Sequence, residues 1–572
     1  MHIRNLLLGL TALAVTACSG GDQMAFEPVL AEDLVRATRQ GEVAGFETET
    51  GAAAWMAVPY AAPPVGAMRW RAPRPAETRS TRFDALTAGA VCPQITNTLS
   101  TGGETGIGEL IGSEDCLTLD IYAPRNAQPG ADLPVMMWIH GGGNIWGSSS
   151  AYDGSALANQ QDVIIVSVQY RLGPLGFLAH PALREEPVLP EDAAANFALL
   201  DLVAALQWIQ ENIEAFGGDT GRVTVFGESA GAYNIAGLMA MPQARGLFHR
   251  AIMQSGGTAS VPLAIAEQGG GTDAVAGLAA ANAMAGPDAD GTALRAVSLE
   301  TVFSPYRDEA GELTSLPRMI EDGVTLRDGG ILAAAEDPDG FAPVPLITGS
   351  NRDEMKLYLV FDPQLTRRLG PLVWLRHRDA YEASVEYPSR NWRFNAVDGL
   401  LNRLAAHGRS DIWSYRFDWD EGGSVLVTDT GALLGASHAM EIPFVFDHFE
   451  LFGSFDRVLF NDRNEDGRLE LADLMGAYWA SFASSGEPGD AFGTGPGWPQ
   501  WTDTGTALRF DTREGGGPEV ISRSESLVGI ATDLAADDRI NDAQRCRIAA
   551  LMIDGQPALS DVFDGVLDCP AD

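Results

Sequence analysis

Residues 222–231 read RVTVFGESAG, which combines a short apolar strand with a turn of small residues. A helix is expected to begin at Ala230. The G-x-S-x-G pattern of residues 227–231 allows a sharp turn that exposes Ser229 on strained backbone. The serine would also lie at a helix N-terminus, where the dipole favours developing negative charge. The alternative is a glycine-rich turn with an idle serine, but the strand-to-helix position favours a nucleophile.

The flanking sequence predicts that this strand belongs to a mostly parallel sheet. Residues 133–139 and 163–168 are short and wholly apolar, as strands buried on both faces are. Residues 193–216 carry apolar side chains at roughly helical spacing, and two glycines follow. Further strands are expected at residues 249–254, 344–348 and 412–419. This alternation predicts an α/β fold with a large, mostly parallel central sheet and helices on both faces.

A second glycine-rich segment follows a predicted strand. His140, Gly141, Gly142 and Gly143 come directly after the apolar residues 133–139. Ligands in such sheets bind beyond the carboxyl ends of the strands. The glycines would let backbone N–H groups approach a substrate oxygen, and the N–H of Ala230 would complete an oxyanion hole. A plain glycine loop is the alternative, but two motifs at strand ends make coincidence improbable.

A nucleophilic serine needs a base, and the base needs an acid that orients it. Downstream of Ser229, His438 is the best base on local grounds, because it lies in a loop of small residues before an apolar run. The other downstream candidates are His377, His407 and His448. Asp353 and Glu354 both follow a predicted strand, and their positions alone do not decide which is the acid.

The whole-chain composition limits the function. The chain has 572 residues, 45% of them hydrophobic, with a net charge of −39 and a pI near 4.4. This composition is typical of a globular protein. Such a charge would be repelled by a phosphate backbone, so nucleic-acid binding is not expected.

The N-terminus reads as an export signal. Residues 1–18 resemble a bacterial lipoprotein signal, with an apolar run too short to span a bilayer and Cys18 as the lipidated residue. The alternative is a secretory peptide cleaved near Ala17. Residues 19–30 are expected to form a tether, and residues 31–572 one domain. We therefore expect a cell-envelope protein that meets the membrane only through its lipid anchor.

The cysteines fit an oxidising compartment. Of five cysteines, four remain once Cys18 is set aside. Cys92 lies near Cys116 in sequence, and Cys546 lies near Cys569. Two local disulfides are therefore plausible.

Residues 462–473 resemble an EF-hand calcium loop, with glycine at the sixth position. Asp462, Asn464, Asp466, Arg468, Glu470 and Asp473 occupy the ligand positions. The alternative is an acidic turn that caps the following helix. Any calcium here would be structural, since the chemistry above needs no metal.

Five motifs, including the serine motif, resemble those of a known protein family. They are residues 60–66, 113–119, 216–219, 227–231 and 444–446. With them the chain resembles the type-B carboxylesterase family, which includes the cholinesterases, from about residue 44 to 511. The resemblance implies an α/β-hydrolase fold, no cofactor and hydrolysis of small-molecule esters through an acyl-enzyme.

The resemblance also implies roles for individual residues. It gives the acid to Glu354, the base to His438, and the oxyanion donors to Gly142, Gly143 and Ala230. It places Ser255 near this triad. It further implies the disulfide Cys92–Cys116 and the ion pairs Arg69–Glu114 and Arg171–Asp201, whereas the predicted disulfide Cys546–Cys569 has no family counterpart.

Two departures from the family pattern bear on the substrate. The loop between Cys92 and Cys116 has no aromatic residue, so choline-ester specificity is not expected. Asn144 stands where an aromatic residue usually follows the third glycine, which leaves the shape of the acyl pocket open. Two other functions compete with a general esterase: an adhesion protein with a silent triad, and a lipase, although no long apolar lid is evident.

Overall fold

A computed structural model describes residues 26–97, 106–185, 187–270, 275–308, 311, 313, 319–370, 372–553, 560–567 and 569. The strands are β1 (Leu30–Thr38), β2 (Gly41–Glu47), β3 (Ala53–Pro59), β4 (Phe83–Asp84), β5 (Gln94–Ile95), β6 (Leu110–Ile111), β7 (Thr118–Ala123), β8 (Leu133–Ile139), β9 (Ile164–Val168), β10 (Gly218–Glu228), β11 (Arg250–Gln254), β12 (Ser260–Pro262), β13 (Met319–Glu321), β14 (Leu346–Asn351), β15 (Thr366–Leu369), β16 (Leu372–Leu375), β17 (Ile412–Phe417), β18 (Ser424–Val425), β19 (Thr428–Asp429), β20 (Thr506–Phe510) and β21 (Glu519–Ser522).

The helices lie between and after these strands. They are α1 (Ser155–Gln161), α2 (Gly173–Gly176), α3 (Pro181–Arg184), α4 (Phe197–Asn212), α5 (Ala230–Ala240), α6 (Leu263–Gln268), α7 (Gly277–Ala285), α8 (Gly291–Ala296), α9 (Leu299–Phe303), α10 (Gly330–Ala335), α11 (Lys356–Leu359), α12 (Arg378–Arg393), α13 (Gly399–Ala406), α14 (Thr430–Leu433), α15 (Ile442–Phe446), α16 (Asp456–Leu459), α17 (Glu465–Ser485), α18 (Leu527–Ala536), α19 (Asp542–Ile553) and α20 (Ser560–Asp564).

One large sheet organises the chain, in the order β1-β2-β3-β7-β9-β8-β10-β11-β14-β17-β20-β21, with β4 paired to β2. The run from β9 to β20 is parallel throughout. The strands at its two margins pair antiparallel, except β4, which is parallel to β2. The predicted large, mostly parallel sheet is therefore confirmed.

The central strands are apolar on both sides because helices cover both faces of the sheet. In β8, Val135 and Met137 belong to one buried cluster, whereas Met136 and Trp138 belong to a second. Alternate residues of a strand point to opposite faces, so the two clusters lie on opposite sides of the sheet. The first cluster includes residues of α4 and the second includes residues of α17. This burial on both faces explains the unbroken apolar runs seen in the sequence.

The predicted covalent and ionic links are present. Cys92 is bonded to Cys116 and Cys546 to Cys569. Arg69 forms a two-pronged ion pair with Glu114, with both N–O distances at 2.6 Å. The buried Arg171 and Asp201 pair in the same way, at 2.7 and 2.8 Å. Bidentate pairs of this kind fix side-chain geometry as well as charge.

The EF-hand loop predicted at residues 462–473 does not form. Helix α17 begins at Glu465, so Asp466, Arg468, Glu470 and Asp473 lie on a helix. Asn464 does not face a shared centre either, because its buried amide donates to the backbone oxygens of Glu421 and Leu459. No group of three or more His, Cys, Asp or Glu side chains suited to a metal ion occurs in the part of the chain that is described. The acidic turn that starts a helix is the correct alternative.

Residues 1–25, including the predicted lipidation site Cys18, lie outside the described residues. Among the described residues, no helix is both long and apolar enough to cross a membrane.

Candidate active site

The turn between β10 and α5 holds Ser229 in a strained conformation. The serine has φ 53° and ψ −121°, outside the usual regions for a residue with a side chain. Its N–H donates to the backbone oxygen of Gln254 at the end of β11, at 2.9 Å. Gly231 is required for a steric reason, because a Cβ there would lie 1.9 Å from the oxygen of Ile139. The predicted serine turn is thus held between two neighbouring strand ends.

The glycine loop after β8 lies against this turn. A Cβ on Gly141 would come within 3.2 Å of the Cβ of Ser229. Gly142 and Gly143 have φ of 89° and 63°, the left-handed region that glycine adopts without strain. Among the described residues, neither of these two N–H groups donates to a protein acceptor. They are therefore available as donors to a ligand.

Two reciprocal amide bonds fix the loop after these glycines. Asn144 Nδ2 donates to Asn234 Oδ1 at 3.1 Å, and Asn234 Nδ2 donates to Asn144 Oδ1 at 2.8 Å. Asn234 is fully buried on α5, the helix that follows Ser229. Asn144 has φ 59°, and its backbone oxygen accepts a bond from the N–H of Gly173. The pair ties the glycine loop to the helix of the serine.

His438 lies beside two carboxylates. Its Nδ1 is 2.6 Å from Glu354 Oε2, and its Nε2 is 3.1 Å from Glu228 Oε1. The other oxygen of Glu354 accepts a bond from the N–H of Asn351 at 2.8 Å. Asp353 instead forms ion pairs with Arg352 and Lys356. The structure therefore places Glu354, and not Asp353, against the histidine.

A third buried carboxylate, Glu441, joins this group through Asn351. The amide of Asn351 donates to Glu441 Oε2 at 2.6 Å and to the oxygen of Ser437 at 2.7 Å. Gln254 Nε2 donates to the other oxygen of Glu441 at 3.3 Å. The three carboxylates therefore sit in one connected network around His438.

The carboxylates set the proton affinity of the site. Burial alone would lower the pKa of His438, but Glu228, Glu354 and Glu441 outweigh it and raise the pKa to about 9. Burial, together with repulsion from Glu441 and Glu354, raises the pKa of Glu228 to about 8 against the opposing attraction of His438. Burial and Glu354 likewise raise the pKa of Glu441 to about 7. Perturbed groups of this kind concentrate at functional sites.

Aromatic side chains cover the histidine. The rings of Trp392 and Tyr358 lie 4.6 and 5.7 Å from the His438 ring, between centroids. Trp392 Nε1 donates to the backbone oxygen of Ser255 at 3.0 Å. The buried Ser255 itself has φ 53°, and its hydroxyl has no hydrogen-bond partner among the described residues. The site thus has an apolar cover on the side of the histidine.

Most of the residues predicted from the sequence meet at this site, and some of its parts were not predicted. Of the alternative histidines, His377 precedes α12 and His407 ends α13. Glu228 lies inside the serine motif, directly before Ser229, so the sequence offered a signal for a carboxyl group close to the nucleophile. Trp392, Asn234 and Glu441 carry no local signal, because their roles depend on partners distant in sequence: Ser255 for Trp392, Asn144 for Asn234 and Asn351 for Glu441.

Comparison with known proteins identifies the family to which the chain belongs. The model of the carboxylesterase family matches residues 32–369. The fumonisin B1 esterase of Sphingopyxis macrogoltabida is 34% identical over 89% of this chain and 91% of its own. The para-nitrobenzyl esterase of Bacillus subtilis (strain 168) is also 34% identical, over 79% of this chain and 90% of its own.

Solved structures of esterases share the fold. A structure of a PNB esterase superposes with a TM-score of 0.63 at 33% identity, covering 85% of this chain and 97% of that one. The carboxylesterase EST55 of Geobacillus stearothermophilus has a TM-score of 0.64 at 29% identity, covering 86% and 97%. The chain therefore belongs to the carboxylesterase family and is a carboxylic-ester hydrolase with the α/β-hydrolase fold.

Proposed function

We propose that the protein hydrolyses small-molecule esters with Ser229 as nucleophile, His438 as base and Glu354 as the acid that orients the base. The observation that carries this proposal is the 2.6 Å contact between His438 Nδ1 and the buried Glu354. With Nδ1 taken up by Glu354, the ring nitrogen that exchanges a proton with Ser229 is Nε2, which lies 3.1 Å from Glu228 Oε1. The strained turn presents Ser229 next to the glycine loop.

The proposed reaction has two halves. Ser229 Oγ attacks the ester carbonyl carbon while its proton passes to His438 Nε2. The N–H groups of Gly142, Gly143 and Ala230 stabilise the oxyanion that forms. The alcohol leaves with the proton from His438, and water then hydrolyses the acyl-enzyme by the same steps. These steps use only side chains and backbone of this chain, so no cofactor is required.

The test is turnover of p-nitrophenyl esters of increasing acyl length by the unsubstituted protein and by Ser229→Ala. Loss of a triad nucleophile is expected to lower kcat by about six decades. A covalent serine probe should label the unsubstituted protein and leave Ser229→Ala unlabelled. Retention of a tenth of the activity in the variant would contradict the mechanism. An unlabelled, inactive unsubstituted protein would favour the adhesion alternative instead.

We also propose that the protein is exported and lipid-anchored at Cys18. Two disulfides use the four other cysteines and are typical of an oxidising compartment. Cys18 alone is left over, at the end of the signal-like residues 1–18. The substitution Cys18→Ser should release the protein from the membrane fraction of the producing cells. An unchanged membrane fraction would contradict the anchor.

A further inference from the structure

Residues 363–378 differ in charge from the rest of this acidic protein. They contain Arg367, Arg368, Arg376, His377 and Arg378 and no acidic residue, in a chain whose net charge is −39. Strands β15 and β16 form a hairpin within this segment. All four of these arginines are exposed. The hairpin is therefore a local basic surface on an acidic molecule.

The four arginines are not neutralised by carboxylates. Most other arginines of the described chain form ion pairs, for example Arg69 with Glu114. None of Arg367, Arg368, Arg376 and Arg378 forms an ion pair with any residue that is described. Arg368 and Arg376 donate to backbone oxygens. Asp362 and Asp379 flank the segment, and Arg378, which is not part of the hairpin, lines a pocket with Glu382, Asp420 and Asp429.

Exposed apolar side chains accompany these charges. Leu369 is 70% exposed at the end of β15. A second hairpin, β18–β19, lies beside the first, because the N–H of Val373 donates to Thr428 Oγ1 at 3.0 Å. Its turn presents Leu426, 85% exposed, and Val427, 59% exposed. Large apolar residues grouped at this exposure mark surfaces that bind a partner or a membrane.

The base of the first hairpin is fixed to the body of the protein. Thr366 pairs with Leu375, and Leu375 packs against the buried cluster that contains Leu359 and Tyr381. Opposite residues of an antiparallel pair share a face, so Arg367 and Leu369 lie on one face with Trp374 and Leu372, whereas Arg368 lies on the other face with Val373, and the exposed tip presents residues of both faces. The exposed tip therefore stands on a rigid support.

We propose that the two hairpins dock on an anionic phospholipid bilayer through one surface, the cationic hairpin surface. It consists of Arg367, Arg368, Leu369, Arg376, Leu426 and Val427. Arginines attract anionic headgroups, and the exposed leucines and valine insert among the acyl chains. Charges are screened beyond about 8 Å at physiological salt, so only this local surface acts on the bilayer at contact. Because the chain as a whole carries a net charge of −39, another face brought to the bilayer is repelled, and this sets the orientation.

The orientation has a consequence for the site. Helix α11 ends seven residues before β15 begins, and it carries Tyr358, whose ring lies against His438. Docking at the hairpins therefore holds this side of the molecule toward the bilayer, where apolar esters accumulate. This contact is additional to an N-terminal lipid anchor.

The test is co-sedimentation of the full chain carrying Cys18→Ser with vesicles, so that no attached lipid contributes. Vesicles of phosphatidylcholine with phosphatidylglycerol should bind the protein at low salt, and vesicles of phosphatidylcholine alone should bind it much more weakly. The variant Arg367→Gln/Arg368→Gln/Leu369→Ser should lose about 25-fold in affinity for the anionic vesicles from its two arginines alone. A second variant, Leu426→Ser, should weaken binding from the other hairpin.

The matched control is Arg39→Gln/Arg513→Gln/Val528→Ser, which removes two arginine charges and one exposed apolar side chain elsewhere, at arginines that pair with Glu211 and Glu470. It should bind as the Cys18→Ser protein does. Hydrolysis of a soluble ester should be unchanged in the hairpin variants, which reports that they are folded. Equal binding by the hairpin variant and the control, or equal binding to both kinds of vesicle, would overturn the proposal. Because binding is measured without turnover, failure of the proposed triad would not affect this result.

Discussion

Glu228→Gln should move the pH dependence of hydrolysis toward lower pH. His438, the base of the proposed mechanism, must be neutral to accept a proton. The neighbouring carboxylates stabilise its protonated form. They raise the pKa of His438 from 6.5 to about 9, with Glu228 the largest of the raising contributions. Glu228 Oε1 lies 3.1 Å from His438 Nε2. With a pKa of about 8, Glu228 is charged at the pH where His438 titrates, and replacing its carboxyl with an amide of the same shape removes that charge and little else.

The size of the change follows from this contact. A charge within about 4–6 Å changes a pKa by about 1–3 units, and each unit corresponds to about 1.4 kcal/mol. We expect the acid limb of kcat/KM to fall by about one pH unit in Glu228→Gln. The plateau rate at high pH should also fall, by up to about tenfold, because the imidazolium formed in the transition state loses its neighbouring carboxylate.

The assay is kcat/KM for a neutral p-nitrophenyl ester between pH 5 and 10, values that bracket the pKa of about 9 for His438. The matched control is Glu421→Gln, the same change at a half-buried glutamate that bonds Thr512. The control should keep the acid limb of the unsubstituted protein. An acid limb at the same pH in Glu228→Gln and in the unsubstituted protein would refute the electrostatic reasoning.

Three further outcomes are expected. Asn234→Ala should lower kcat by about tenfold with little change in KM, because it releases Asn144 and the glycine loop from α5. In a double-mutant cycle, adding Asn144→Ala should lower kcat little further. Additive losses of kcat would argue against the pair. Replacing Cys546 and Cys569 with alanine should lower the free energy of unfolding by about 3 kcal/mol in urea denaturation, and an unchanged midpoint would contradict this. The melting temperature should be equal in EDTA and in millimolar calcium, because most residues of the predicted loop lie in helix α17. A bound ion at a hundredfold excess over Kd would raise the free energy of unfolding by about 2.7 kcal/mol, so a higher melting temperature in calcium would contradict this.

The parts of the fold that are local in sequence could be predicted. β8 has the predicted bounds 133–139, and the turn at Ser229 lies where its pattern indicated. Both rest on contacts between neighbours along the chain. The marginal strands β1 to β3 were not predicted, because their burial is partial and their pattern is less regular.

The error at residues 462–473 has a physical cause. The oxygen-bearing side chains of an EF-hand loop recur every two to three residues, a spacing that an acidic helix start also produces. The sequence after Glu465 favours a helix, and the Arg468 guanidinium packs over the Phe449 ring at 4.4 Å, which places this side chain against the body of the protein. The spacing of the oxygen-bearing side chains, with no helix before the loop, therefore did not distinguish an EF-hand loop from the start of a helix.

The site also shows why its geometry could not be obtained from the motifs alone. Ser229, Ser255, Asn144 and Ala439 all have positive φ although none is glycine, and each lies in or next to the site. Such backbone costs about 1–3 kcal/mol per residue and persists only where the surroundings fix it. Those surroundings are distant in sequence: Ser229 is held by Gln254, Ser255 by Gly349, and Asn144 by Asn234. Motifs locate the residues that react, whereas the parallel strands that bring these partners together fix the conformations in which they react.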